Sequence, residues 1–153
     1  MAWIVERLDD PAAKSAACAE IIVELPMWFG RTAANAKYIQ GMATRDAFAT
    51  VIDGRTCGLV AVEYHFGVTC NIWWLGVSPA HHRRGADRAL VERAANEAKV
   101  RGCKKLTVET MSPRSGSREY ELTRHFYQSV AFVPFIEFEP EPGDWMMWMH
   151  RQI

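Results

Sequence analysis

The stretch VSPAHHRRGADRAL, residues 77–90, decides the fold because it joins a strand to a helix through a tight basic turn. The apolar segment before it, NIWWLGV at 71–77, is typical of a buried strand. Residues 86–101 place small and apolar side chains at intervals of three and four, which predicts an amphipathic helix that Gly102 ends. A helix N-terminus carries unpaired N–H groups and a partial positive charge, so the turn is a candidate anion site.

Length and charge limit the classes of function that this chain can have. Its 153 residues predict a single domain over 1–153, large enough to bury a hydrophobic core. The 18 Lys+Arg and 18 Asp+Glu residues give no net charge, which argues against a nucleic-acid partner. Any anion that the protein binds is therefore expected at the basic turn.

Features that report on location favour the cytoplasm. The N-terminus, MAWIVERLDD, lacks the basic and apolar regions of a secretory signal. No stretch approaches the roughly 20 apolar residues of a membrane helix, so no membrane partner is expected. The 4 cysteines are far apart and form no CxxC pair, which predicts reduced thiols and no metal site.

The rest of the chain alternates between strand and helix patterns. An Asp-Gly turn at 53–54 and a turn at Gly67 predict three consecutive antiparallel strands. The predicted elements, in chain order, are a strand at 3–8, a helix within 9–25, a short helix at 32–41, strands at 47–52, 55–66 and 68–77, a helix at 86–101, a strand at 104–110, a helix at 118–130 and strands at 132–138 and 145–153. This order predicts an α/β (α+β) fold with a mixed, mostly antiparallel sheet of about six to seven strands and about four flanking helices.

Two motifs, the turn VSPAHHRRGADRAL at 77–90 and the segment RHFYQSVAF at 124–132, resemble those of the GNAT superfamily of N-acetyltransferases. The turn at 77–90 is similar to its pyrophosphate-binding motif, Val-x-Pro followed by Gln/Arg-x-x-Gly-x-Gly/Ala. RHFYQSVAF at 124–132 is similar to its Ala-x-x-x-Tyr-x-x-x-Gly-Phe segment, and the predicted strand order is that of the superfamily. LPMWFG at 25–30 and LTVETMSP at 106–113 resemble a branch of small bacterial members. The resemblance covers nearly the whole chain.

The resemblance implies an acetyl-CoA-dependent N-acetyltransferase that needs no metal. Such an enzyme transfers an acetyl group directly to a primary amine of a small-molecule acceptor. The backbone of Leu75, Gly76 and Val77 is implied to pair with the pantetheine arm. The residues implied to surround the pyrophosphate are His82, Arg83, Arg84, Gly85, Ala86, Asp87 and Arg88.

The chain departs from the family pattern at several positions. His82 replaces Gln or Arg but keeps a hydrogen-bond donor, and Tyr120 stands where many members have Asn. Ala131 replaces a glycine, which is tolerable if the backbone there is right-handed.

Asp87 is the departure with the largest consequence for function. Its carboxylate would repel a pyrophosphate if it faced the ligand, whereas in the first helical turn it would stabilise the helix. The sequence allows two directions for this side chain, toward the ligand or along the helix toward Arg83, Arg84 or Arg88. Asp87 therefore motivates an alternative function, a GNAT-fold acyl-CoA-binding or regulatory protein with little or no turnover.

The candidate catalytic residues are one tyrosine and several groups that accept a proton. Tyr127 matches the tyrosine that protonates the departing thiolate in many members, and a phenol of pKa about 10 suits a thiolate of pKa about 8.5. An apolar stripe of Leu122, Phe126 and Val130 on the same helix leaves Tyr127 free for this role. The candidate bases are Glu63, His65 and Glu109.

Aromatic residues suggest how the acceptor and a second copy of the chain would bind. Trp28 and Phe29, in a helix break, are candidates to line an acceptor pocket for a hydrophobic amine. Strand alternation is expected to bury one of the adjacent residues Trp73 and Trp74. The last strand carries Trp145, Met147 and Met149, which a soluble monomer seldom exposes together, so one face of this strand is expected in the sheet core and the other could form a homodimer interface.

Overall fold

A seven-stranded sheet with helices on both faces organises the computed structural model, which describes residues 2–153. The strands are β1 Val5–Leu8, β2 Asp46–Ile52, β3 Arg55–His65, β4 Thr69–Val77, β5 Lys105–Met111, β6 Val133–Glu141 and β7 Asp144–Gln152. The helices are α1 Pro11–Glu24, α2 Thr32–Met42, α3 Ala86–Val100 and α4 Arg118–Ser129, with short 3₁₀ turns at Pro79–His81 and Pro113–Ser115. The strand order is β1-β2-β3-β4-β5-β7-β6, and only β4 and β5 run parallel. The predicted fold class is confirmed.

Local signals in the sequence account for where the elements begin and turn. The Asp10 carboxylate accepts a hydrogen bond from the Ala13 N–H at 2.8 Å and starts α1. The Ser117 hydroxyl does the same for α4. Asp53 and Gly54 both have positive φ, 51° and 74°, which is the geometry that an Asp-Gly hairpin turn needs.

β4 contains a bulge that strand alternation does not predict. Ala61 pairs with Trp74 and Val62 pairs with Ile72, so Trp73 is an extra residue without a partner on β3. The bulge turns both tryptophans into the core cluster under α1 and α2, where Trp74 is buried and Trp73 half-buried. One of the pair is fully buried, as expected.

α4 buries a different face from the one that its apolar residues suggest. Leu122 is 54% exposed, whereas Tyr127 is 5% exposed and packs in the core cluster under α3. Arg124 is also buried, and its guanidinium finds a hydrogen-bond partner in the Met111 carbonyl at 2.8 Å. The prediction that Leu122 lies on the buried stripe of α4 is therefore wrong, because Arg124 takes part in the packed face instead.

α4 ends in a backbone conformation that does not meet the condition under which alanine would replace glycine at residue 131 without strain. Its φ is +72°, in the left-handed region, and not right-handed. The Ala131 N–H donates to the Gln128 carbonyl at 3.1 Å, and the Phe132 N–H donates to the Tyr127 carbonyl at 3.0 Å. These two hydrogen bonds define a Schellman motif, which normally has glycine at this position.

The methionines of β7 belong to the core and do not form an exposed face. Met147 and Met149 are both buried in the cluster under α3. Trp145 is half-buried, with the Arg114 guanidinium 4.2 Å from its ring centroid. The expectation that one face of this strand belongs to the sheet core is confirmed, because alternation points both methionines inward. None of the helices within residues 2–153 is long and apolar enough to cross a bilayer.

Candidate active site

The candidate site lies where β4 and β5 separate. Their pairing ends at Ile72 with Val108, and no pair between the two strands follows within residues 2–153. β4 nevertheless continues to Val77, paired with β3 on its other edge. The β5-facing edge of residues 75–77 is therefore open to an extended ligand, which would add to the sheet like a strand.

His82 connects this open edge to the basic turn. Its Nε2 lies 2.6 Å from the Val77 carbonyl oxygen, and since a carbonyl only accepts, Nε2 donates. The His82 ring also meets the Trp28 indole edge-on, with centroids 5.9 Å apart. The Val77 carbonyl is thus occupied. The Ser78 N–H donates to the Cys57 carbonyl on β3, so alternation turns the backbone groups of Gly76 toward β3 as well. The free part of the edge is therefore the backbone of Leu75 and the Val77 N–H.

The basic turn exposes a row of backbone donors at the start of α3. Gly85 caps the helix with φ +86°, and Arg83 also has positive φ, +59°. The N–H groups of residues 83–87 donate to no acceptor in the described chain. Arg83, Arg84 and Arg88 are exposed and form no ion pair with a carboxylate of residues 2–153. Free N–H groups and free cations at one helix start make an anion-binding concavity.

Asp87 turns along the helix. Its carboxylate accepts a hydrogen bond from the Arg88 N–H at 2.8 Å and forms no ion pair with the neighbouring arginines. It thereby occupies one of the N–H groups at the helix start, which favours the helix dipole. Burial is the main reason that the pKa of the Tyr127 hydroxyl is raised, and the charge of Asp87 adds a smaller contribution. Asp87 therefore stabilises the helix and still acts electrostatically on Tyr127.

A cavity of about 120 Å³ lies at the separation of the two strands. It brings five predicted residues together, namely Trp28, Phe29, Leu75, Glu109 and Tyr127. The remaining lining residues are Tyr38, Ile72, Trp73, Trp74, Val108, Thr110, Tyr120 and Thr123. A larger cavity of about 770 Å³ lies between α4 and β6, and none of the predicted site residues lines it.

Tyr127 presents a protonated phenol to the smaller cavity. Its hydroxyl forms no hydrogen bond with another residue of the described chain. Burial raises its pKa, with smaller contributions from Tyr120 and Asp87, so the phenol stays protonated at neutral pH. The hydroxyl is therefore protonated and unpaired at the cavity, although its raised pKa makes it a weaker acid toward a thiolate than an ordinary phenol.

Glu109 is the first residue of β5 beyond the end of its pairing with β4. The cavity leaves its carboxylate in contact with water, while the surrounding protein partly desolvates it and raises its pKa. A carboxylate with a raised pKa is a better base toward an ammonium group than an ordinary one.

Glu63 and His65 lie apart from this cavity. The Glu63 carboxylate is 3.2 Å from the Arg45 guanidinium, accepts a hydrogen bond from the Asn71 amide at 3.1 Å and lies 3.4 Å from His65. Neither residue is among those that line the cavity. Their positions give no support to a role for either as the base.

The loop between α1 and α2 closes the cavity from the other side. The Trp28 indole N–H donates to the Glu119 carbonyl and to the Thr123 hydroxyl, both at 3.2 Å. The Tyr120 hydroxyl donates to the Trp28 carbonyl at 2.8 Å. These hydrogen bonds hold Trp28 between the loop and α4. Tyr120, which stands where many family members have Asn, contributes one of them.

Several lining residues were missed by reasoning from sequence. Tyr120 and Thr123 precede the predicted Tyr127 on α4, and the intervals of three and four residues place all three on one helical face, a signal that could have identified them. The indole N–H of Trp74 and the hydroxyl of Thr110 are buried without a hydrogen-bond partner, and both residues line the cavity. Trp3 was also missed. Its indole N–H donates to the Arg84 carbonyl at 2.7 Å and holds the basic turn against the N-terminal segment.

The comparison with protein families defines the class of protein. The sequence model of the acetyltransferase (GNAT) family matches residues 17–132, and the chain belongs to this family. A comparison with curated proteins gave no match.

Solved structures of this fold cover almost the whole chain. A GNAT-family protein from Desulfovibrio desulfuricans has a TM-score of 0.81 and 17% identity, over 99% of this chain and 99% of that chain. An aminoglycoside 6′-N-acetyltransferase complexed with coenzyme A has a TM-score of 0.75 and 15% identity, over 97% of this chain and 96% of that chain. The ribosomal-protein-S18-alanine N-acetyltransferase from Escherichia coli has a TM-score of 0.75 and 15% identity, over 98% and 94%. At these identities the structures show the shared fold.

Proposed function

We propose that the protein is an acetyl-CoA-dependent N-acetyltransferase that transfers an acetyl group directly to a primary amine of a small-molecule acceptor. The observation that carries the proposal is that Tyr127 and Glu109 line one small cavity at the separation of β4 and β5. Family membership supports acetyl transfer as the reaction, and a similar structure contains coenzyme A.

Acetyl-CoA would bind along the open edge of β4 and at the start of α3. The free N–H groups of residues 83–87 and the unpaired arginine side chains fit a pyrophosphate. The backbone of Leu75 and the Val77 N–H would pair with the pantetheine arm, with Gly76 between them, whereas the Val77 carbonyl becomes available only if His82 releases it. His82 would then be free to donate to the cofactor.

Tyr127 and Glu109 have complementary roles in the proposed transfer. Glu109 removes a proton from the acceptor ammonium, so that the amine nitrogen attacks the thioester carbon. The carbon–nitrogen bond forms and the carbon–sulfur bond breaks. Tyr127 gives its proton to the departing thiolate and recovers one from the nitrogen of the acetylated product. Burial raises the pKa of the thiols of Cys18 and Cys70 to about 12, and none of the 4 cysteines lines the cavity, which favours direct transfer over an acetyl-cysteine intermediate.

The alternative is a GNAT-fold protein that binds acyl-CoA, or regulates through it, with little or no turnover. The charge of Asp87 near the proposed pyrophosphate site and the occupied Val77 carbonyl favour this alternative. Both features would weaken cofactor binding without preventing the fold.

Calorimetry and thiol release together test the proposal. We expect acetyl-CoA to bind with measurable heat and a panel of primary amines to include at least one that releases free CoA thiol and gains an acetyl group. Binding without thiol release for any amine would favour the alternative. No heat and no thermal shift with millimolar acetyl-CoA would contradict both functions.

We also expect the protein to act in the cytoplasm, and a homodimer remains a prediction. Since Met147 and Met149 are buried, a dimer would need another surface. β6 exposes Val133, Phe135 and Ile136 at the edge of the sheet. Light scattering coupled to size-exclusion chromatography measures whether the 17.4 kDa chain doubles its mass in solution.

A further inference from the structure

We infer that the acceptor is a small apolar monoamine, with its ammonium group beside Glu109 and a hydrocarbon body of about one ring against the aromatic side chains of the cavity. This inference rests on the proposed acetyltransferase activity and names the acceptor class for the same site.

The charge of the cavity limits the acceptor to one ammonium group. Glu109 is the one charged residue among the described residues that line it. One carboxylate compensates one ammonium, whereas a second ammonium would lose its hydration without gaining a partner. Glu63, the nearest acidic candidate on β3, is held by Arg45 and Asn71. A polycationic acceptor therefore does not match this cavity.

The walls of the cavity suit an apolar body next to a cation. Phe29 stacks on Trp74 with ring centroids 5.3 Å apart and meets Tyr38 at 6.1 Å. Tyr38 in turn meets Trp73 at 5.5 Å, so four rings form one continuous surface. Burial raises the pKa of the Tyr38 phenol, and the nearby charge of Glu109 adds to the rise. The Arg45 guanidinium lies 3.6 Å from the Trp73 ring centroid and covers a face of that ring, so we assign the contact with the ammonium ion and the hydrocarbon body to the other three rings.

The volume of the cavity limits the size of the buried body. At about 120 Å³ it is somewhat smaller than an apolar protein cavity of about 150 Å³ that holds benzene. One six-membered ring is therefore the largest rigid body that we expect to enter, and a fused bicyclic system is excluded.

Acetylation of a matched panel of amines tests the inference. The probes are benzylamine, 2-naphthylmethylamine, 1,4-diaminobutane and kanamycin, each with saturating acetyl-CoA and the full-length protein. We expect kcat/KM for benzylamine to exceed that of each other probe at least tenfold. Equal or faster acetylation of the diamine, of kanamycin or of the bicyclic amine overturns the inference while the proposed function stands.

Two phenylalanine variants separate the cavity wall from a general effect on stability. Phe29→Leu removes one ring of the continuous surface, whereas Phe66→Leu makes the same change at a residue that is 97% exposed in the β3–β4 turn. We expect Phe29→Leu to raise KM for benzylamine at least fivefold with KM for acetyl-CoA unchanged. Phe66→Leu should leave both constants unchanged. An unchanged KM for benzylamine in Phe29→Leu overturns the assignment of the wall.

Direct binding distinguishes failure of the inference from failure of the proposed function. Calorimetry without acetyl-CoA compares benzylamine with benzyl alcohol, in the wild type and in Glu109→Gln. We expect the wild type to prefer the amine at least tenfold at pH 8 and Glu109→Gln to lose this preference. A protein that binds acetyl-CoA but shows no preference for the amine overturns the inference. A protein that prefers benzylamine but does not bind acetyl-CoA overturns the proposed function.

Discussion

The end of α4 offers a direct test of the backbone that positions Tyr127. Ala131 occupies the left-handed position of the Schellman motif with φ +72°, and its side chain is exposed. A left-handed conformation costs an alanine about 1–2 kcal/mol, whereas glycine adopts it freely. Glycine also gains about 0.4–1 kcal/mol of conformational freedom in the unfolded chain. Ala131→Gly is therefore expected to raise the free energy of unfolding by about 0.5–1 kcal/mol.

For a chain of this length, such a gain corresponds to an increase in Tm of about 1–4 °C. Denaturant and thermal unfolding of Ala131→Gly and the wild type measure it. Ala43→Gly is the matched control, because Ala43 ends α2 with a right-handed φ of −57°. The control should lose about 0.5–1 kcal/mol. A decrease in stability of Ala131→Gly similar to that of the control would show that residue 131 is right-handed and refute the reasoning.

Three further predictions concern the cofactor edge and the base. Asp87→Asn should lower the Kd for CoA, measured by calorimetry, because it removes a negative charge near the proposed pyrophosphate site. The same change should destabilise α3 by about 0.3–1 kcal/mol, because that charge favours the helix dipole. Weaker CoA binding in the variant would show that the carboxylate does not act on the phosphates. Gly76→Ala should destabilise the protein by about 1–3 kcal/mol, measured by denaturant unfolding, because a Cβ there would lie 2.4 Å from the Trp74 ring; unchanged stability would contradict this packing. Burial raises the pKa of Glu109, and a base acts only in its deprotonated form. The value of kcat/KM should therefore fall as the pH decreases through a value above the ordinary glutamate pKa. If the same fall persists in Glu109→Gln, Glu109 is not the titrating group.

Much of the fold follows from local sequence signals. The Asp53-Gly54 turn, the Asp10 and Ser117 helix caps and the spacing of small residues in α3 each report a conformation that nearby residues determine. The basic turn of residues 77–90 likewise combines a strand end, a left-handed glycine and a helix start within one short segment. Sequence reasoning therefore identified the order of elements and the candidate anion site.

Features that depend on distant partners were not predictable in the same way. The bulge at Trp73 exists only in the register between β3 and β4. Arg124 is buried because it reaches the Met111 carbonyl on another element. Trp28 contacts Glu119 and Thr123, which are 91 and 95 positions away in sequence, and this contact closes the cavity. The side chains that shape the acceptor pocket thus come together through tertiary contacts that periodicity does not encode.

The central claim is that Tyr127 is the acid of an acetyl transfer that takes place in the cavity between β4 and β5. The most direct measurement is the rate of benzylamine acetylation and the Kd for acetyl-CoA, in the wild type and in Tyr127→Phe. The account predicts that kcat falls about 10²-fold in the variant while the Kd stays within a factor of two. Full activity of Tyr127→Phe, with acetyl-CoA bound as in the wild type, would contradict the claim.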